Sequence, residues 1–207
     1  MFPAKTTPLP SQVRLPFVAA LIRVLLVAVA PGCTEQPPSS SEACTQLTQS
    51  PGHADTVAIR QQVLGADCGL FPAAAGLPTD EEGQVTAHCG RFTPTLPQVV
   101  PVELALRTLP LHRVPVVAGH HIIPSYPLLI HQNLPRYKRQ YFGFYDLRHQ
   151  PCLYVHFFAA SVDEHPGYTP RWLREVIQVE DGGAGYWSVK YNLTTHQFYD
   201  FEHNSEG

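Results

Sequence analysis

The sequence predicts an α+β fold: one helix packed on a roughly five-stranded antiparallel meander, preceded by a signal peptide and a loop-rich N-terminal segment. Three observations predict it. Residues 137–201 alternate apolar and polar side chains in short runs separated by turn residues. A helical stripe follows Thr93-Pro94-Thr95. The first 32 residues are basic, then apolar, then small, without any acid.

That leader has Lys5 and Arg14 before an apolar stretch, Leu15 to Ala30, broken by Arg23 alone. A helix needs roughly 20 apolar residues to cross a bilayer, so this shorter stretch reads as a cleaved secretory signal, residues 1–32. It ends in Ala30-Pro31-Gly32-Cys33. Small residues ahead of a cysteine resemble the lipobox of bacterial lipoproteins. That resemblance implies a diacylglyceryl group on the Cys33 thiol and cleavage that leaves Cys33 as the new N-terminus. The pattern departs from the family at Ala30, where leucine is usual, and at Pro31. Residues 33–41, with TEQPPSSS after the cysteine, have no apolar period and form a flexible tether.

Residues 42–90 are weakly patterned. Val57, Ile59, Val63 and Leu64 within 55–64 fit a short helix, and 65–90 reads as loop. In the α+β domain, residues 91–207, Val99, Val100, Glu103, Leu104, Leu106 and Arg107 make a helical stripe with Thr95 as N-cap. Pro101 argues for a helix start nearer Val99. Five prolines between 110 and 135 break any long element. The strands are expected at 137–146, 152–160, 172–180, 186–193 and 197–201. Leu153, Val155 and Phe157 form one face of the second, and Tyr154, His156 and Phe158 the other, so it lies centrally. Trp187, Val189 and Tyr191 point inward with Phe142 and Ile177.

The sequence RFTPT, a helix, YKRQYFGFYD, a strand, DGG with an aromatic strand and a closing FYDF resembles a group of uncharacterised lipoprotein-like proteins of Bacteroidetes-type bacteria. It covers residues 91–207. The resemblance implies no catalytic residue.

Composition narrows the function. The 207 residues hold 14 Lys+Arg against 17 Asp+Glu, a net charge of −3, which excludes bulk electrostatic binding of nucleic acid. Removing residues 1–32 takes away three basic residues and leaves a net of −6. Such a body meets a membrane through its lipid, not its charge. With Cys33 acylated, four cysteines remain. Cys68 and Cys89, each followed by glycine, make the favoured disulfide; Cys152 reads as a core thiol, leaving Cys44 free. No GxSxG, Walker loop, dinucleotide glycine pattern, HExxH or CxxC occurs. Gly182-Gly183-x-Gly185 precedes a strand rather than a helix and is a turn. Asp163-Glu164-His165 reads as a solvated loop. Asn192-Leu193-Thr194 spells a glycosylation sequon that a bacterial chain leaves unused.

One basic-aromatic cluster stands out as a ligand-contact candidate: Arg136, Tyr137, Lys138, Arg139 and Tyr141, a combination that grips phosphate or glycan, or else protects an exposed sheet edge by charge. The expected function is a lipid-anchored cell-envelope protein with a non-catalytic binding or scaffolding domain, without catalytic residue, cofactor or metal. Its partners are a membrane, through the lipid, and a protein or glycan of unspecified kind. The alternative is an exported metal-dependent enzyme using His88, Cys89, His120 and His121.

Overall fold

The computed structural model describes residues 56–77, 89–159, 167–179 and 181–205. The chain divides at Pro38/Ser39, and every described residue belongs to the second unit. The signal, Cys33, the tether, Cys44, His88 and Asp163-Glu164-His165 lie outside the described residues.

The second unit is built on one mixed seven-stranded sheet: β1 (Ile59–Val63), β2 (Ala66–Leu70), β3 (Arg91–Phe92), β4 (Tyr137–Tyr145), β5 (Pro151–Ala159), β6 (Tyr186–Asn192) and β7 (Gln197–His203). Two helices, α1 (Leu96–Leu106) and α2 (Tyr126–Asn133), complete it. The order is β1-β2-β4-β5-β6-β7, and β3 shares the β2 side of β4. From β4 to β7 all pairings are antiparallel, with Tyr141 opposite Val155 and Val155 opposite Val189. This is the expected meander, with four strands instead of five.

The short connections of the meander carry their own turn chemistry. Asp146 Oδ1 accepts the backbone N–H groups of Arg148 and Gln150, and Asn192 Oδ1 those of Thr194 and Thr195. The Asn192 amide also donates to Gln150 Oε1 at 2.7 Å, so the sequon side chain is a buried structural element.

The helix expected over 55–64 does not form among its described residues, 56–64. Ile59–Val63 pairs with Ala66–Leu70 through a two-residue turn in which Leu64 and Gly65 both take positive φ, the geometry that suits a twisted hairpin. β2 then runs parallel to β4, Cys68 opposite Arg139. The second correction concerns residues 172–180. Arg171–Leu173 is a 3-10 turn and Arg174–Val179 is irregular; neither joins the sheet.

Thr95 is the N-cap of α1, and Gln98 Oε1 accepts its backbone N–H at 2.9 Å. Pro97 stands in the first turn, but Pro101 lies inside the helix, which therefore begins earlier than expected. The buried stripe is Val99, Val102, Glu103 and Leu106, leaving Leu104 exposed. Between its flanking prolines α2 is only eight residues long, with Pro127 in its first turn, where a missing N–H costs nothing.

Sheet alternation separates two cores. On one face Tyr141, Leu153, Val155, Phe157, Trp187, Val189 and Tyr191 meet Val99, Val102 and Leu106 of α1 and Ile130 of α2. On the other, Phe142, Phe144, Tyr154 and Phe158 meet Phe71, Trp172, Leu173 and Ile177. Phe142, Val155, Phe157, Ile177, Trp187, Val189 and Tyr191, expected from the sequence to lie in the core, are all buried. Gly143 is required where β3 crosses: a Cβ there would lie 2.4 Å from the Phe92 carbonyl oxygen.

Candidate functional site

Alternation along β4 disperses the basic-aromatic cluster. Tyr137, Arg139 and Tyr141 point toward the helices and Lys138 points to the opposite face; all four are buried. Arg136 alone is exposed. β4 is an interior strand, paired with β2, β3 and β5, so these residues form neither a surface grip for a ligand nor a charged edge.

What they form instead is a buried network. Glu103 Oε1 accepts from Arg139 Nε at 3.1 Å and Tyr141 Oη at 2.6 Å, with Cys68 Sγ at 3.8 Å. The Arg139 guanidinium also donates to the carbonyls of Tyr137 and Leu134. Both charges are nearly inaccessible, at 3% side-chain exposure each. A buried ion pair is tolerated when its remaining donors are satisfied, and here backbone carbonyls satisfy them. Burial first, and then the Glu103 carboxylate, hold the Tyr141 hydroxyl and the Cys68 thiol well above their ordinary pKa values. The network thus ties α1 to β2 and β4, and its thiol is a poor nucleophile.

Cys68 is therefore a free, buried thiol, and the expected Cys68–Cys89 disulfide does not form. Cys89 is itself disulfide-bonded. Cys152 is the core thiol the sequence suggested, its pKa raised chiefly by burial.

On the opposite face, Gln140 Nε2 donates to the carbonyls of Trp172 and Glu175, and its Oε1 accepts from Ile177 N–H. The cross-strand neighbour of Gln140, His156, bonds the Ile177 carbonyl through Nε2 at 2.6 Å. Burial lowers the His156 pKa to about 4, so the ring is neutral and Nε2 donates. Lys138 sits 4.9 Å from the Trp172 ring centroid, a cation–π contact.

A third polar corner joins the end of β7 to the loop before α2. His203 Nδ1 donates to the Asn204 carbonyl, its Nε2 accepts Ile123 N–H at 3.1 Å, and its own N–H donates to His120 Nε2 at 3.2 Å. The lone pairs that a metal would use on His203 and His120 already accept backbone protons. His121 is exposed. Among the described residues no group of three or more His, Cys, Asp or Glu is placed to hold a metal ion.

A cleft of about 280 Å³ lies between the 71–77 loop and the irregular 174–178 segment. Phe71, Leu77 and Val176 supply its apolar wall; Thr56, Arg174, Glu175 and Gln178 line the remainder. Its volume is just under the roughly 300–1,000 Å³ typical of ligand pockets. Sequence reasoning missed it because both walls are irregular and no periodic signal marks them. No helix among the described residues is long and apolar enough to cross a membrane. Compared with family models, curated proteins and solved structures, the chain finds no match.

Proposed function

We propose that this chain is a lipid-anchored protein of a bacterial cell envelope whose sheet domain binds or scaffolds a partner without chemistry of its own. The observation that carries the non-catalytic part is where the reactive side chains are used. Glu103, Arg139, Tyr141 and Cys68 fasten α1 to the sheet, Gln140 and His156 hold the 171–179 segment, and His120 and His203 secure the loop before α2. Acid–base or nucleophilic catalysis needs such groups turned toward a substrate with an unshared proton or lone pair. The anchoring part rests on the leader that ends at Cys33 and on the acidic mature body. A disulfide at Cys89 fits an oxidising, exported compartment.

The test is the Cys33→Ser variant. It should leave the membrane fraction for the soluble one, and mass spectrometry of the unaltered protein should find acyl chains on Cys33. A Ser variant that still sediments with membranes, together with an unacylated Cys33, overturns the reading. Stoichiometric zinc or copper in the purified protein, lost in the double change His120→Ala/His121→Ala, would replace it with the metalloenzyme alternative.

A further inference from the structure

We propose that the cleft between the 71–77 loop and residues 174–178 binds a small carboxylate with a short apolar body, an aryl or short-chain alkyl acid. The proposal rests on the non-catalytic binding reading, to which it gives a ligand, and does not depend on the lipid anchor. The lining has two characters. Phe71, Leu77 and Val176 form an apolar wall, with Phe71 stacked on Phe142 at 4.4 Å, while Thr56 and Gln178 add a hydroxyl and an amide. Glu175, the acid in the lining, is already paired with Arg171 at 2.7 Å. Arg174 is exposed and joins no ion pair among the described residues. The cleft therefore sets an uncompensated positive charge beside an apolar surface. A guanidinium can hold a carboxylate through two parallel hydrogen bonds.

A second, independent sign lies behind the wall. Arg91 Nη1 donates to the carbonyl of Ala75, a lining residue, at 2.9 Å, and Arg91 Nε donates to the Gly143 carbonyl at 2.8 Å. Its Nη2 is buried without a hydrogen-bond partner. Burial lowers the Arg91 pKa to about 10 with no carboxylate opposing the shift, so the group stays charged at neutral pH without a counter-charge. A cation taken out of water is costly until an anion lies near it. Arg91 and Arg174 thus favour an anion and disfavour a cation in the cleft. The volume of about 280 Å³ sets the size: at the ~30 Å³ that a water occupies in the liquid, it has room for roughly ten non-hydrogen atoms. A ligand so small should bind with a dissociation constant on the order of 0.1–1 mM.

The experiment titrates the full-length protein with para-fluorobenzoate, which has that size, and follows binding by fluorine NMR. Para-fluorobenzamide, its neutral isostere, is the control. The expected result is saturable binding of the acid, with the amide roughly tenfold weaker. Arg174→Gln should weaken the acid about three- to tenfold, and Arg174→Lys should restore most of the loss. Gln178→Glu, which adds a carboxylate to the lining, should also weaken the acid and leave the amide unchanged. Arg174 and Gln178 are both exposed, so these variants keep the fold. Arg113→Gln, in the exposed turn before α2 on the helix-covered face, should change neither ligand. Equal binding of acid and amide, acid binding indifferent to Arg174→Gln, or no saturation below about 10 mM would each overturn the site. None of these results touches the fractionation of the Cys33→Ser variant, and so the anchor. Charge-selective binding beside a Cys33→Ser variant that stays with membranes would uphold the site and remove the anchor.

Discussion

The two faces of the sheet are closed by different means. One is covered by α1 and α2, whose backbones satisfy their own hydrogen bonds, so that apolar side chains do most of the packing and the polar groups buried there, Glu103, Arg139 and Tyr141, chiefly pair with one another. The other is covered by residues 171–179, which have a single 3-10 turn and leave carbonyls and N–H groups facing a core. Gln140 and His156 supply the missing partners from the sheet itself. A regular element can be buried by apolar residues alone; an irregular one needs buried polar side chains opposite it.

This contrast sets how each face should fail. On the helix face, Trp187 stacks on Phe157 with ring centroids 3.6 Å apart and is 1% exposed. Trp187→Ala should cost about 3–5 kcal/mol in denaturant unfolding. Trp187→Phe should cost much less, because the Trp187 indole N–H has no hydrogen-bond partner among the described residues. A loss below about 1 kcal/mol for the Ala variant would place the tryptophan outside the core.

Glu103→Ala should cost a similar amount, about 3–5 kcal/mol, since it leaves the Arg139 guanidinium buried without its counter-charge. The double change Glu103→Leu/Arg139→Met should recover most of the loss. If it does not, the pair matters for more than charge balance.

Acid should act first on the opposite face. Burial lowers the His156 pKa to about 4, below the ~6.5 of an unfolded histidine. As pH falls, the unfolded chain takes up the proton before the folded one does. Stability present above pH ~6.5 is therefore lost progressively down to pH ~4, by about 3 kcal/mol from this group. His203 is lowered in the same direction, chiefly by burial. A His156→Gln variant should show a flatter stability profile between those limits, and an unchanged slope would assign the effect to other groups.

The smallest effect is expected at Gln140, at about 1–3 kcal/mol for Gln140→Ala. Its signature should be local: faster proteolysis within 171–179 at unchanged helix content. Loss of both faces together would show that the two cores are one cooperative unit.

The same contrast explains what the sequence disclosed. β5 is legible as central because Leu153, Val155 and Phe157 alternate with Tyr154, His156 and Phe158, and the register of β6 follows from Trp187, Val189 and Tyr191. The cover of the second face reads as a strand because Trp172, Leu173 and Ile177 are as apolar as strand residues; only the bonds from Gln140 and His156 show that its backbone is served otherwise. The β1–β2 hairpin is hidden because Leu64-Gly65 lacks the Asn-Gly or Asp-Gly signal, and because Val57, Ile59, Val63 and Leu64 satisfy a helical spacing as well. The basic-aromatic run is conspicuous as a string of residues, yet strand alternation sends its members to two faces. Long-range contacts decide such cases, and a local pattern does not carry them.

The parallel pairing of β2 with β4 has a kinetic consequence. Cys68 meets Arg139 across 71 residues of chain, whereas β4 and β5, like β6 and β7, are joined by turns of a few residues. Loop-closure entropy favours the short connections first, so the meander should be assembled before the hairpin finds its place beside it. Substitutions in β2 should then leave the folding rate nearly unchanged and mainly hasten unfolding. Of the strands, the two that are synthesised first would then be the ones that join the sheet last.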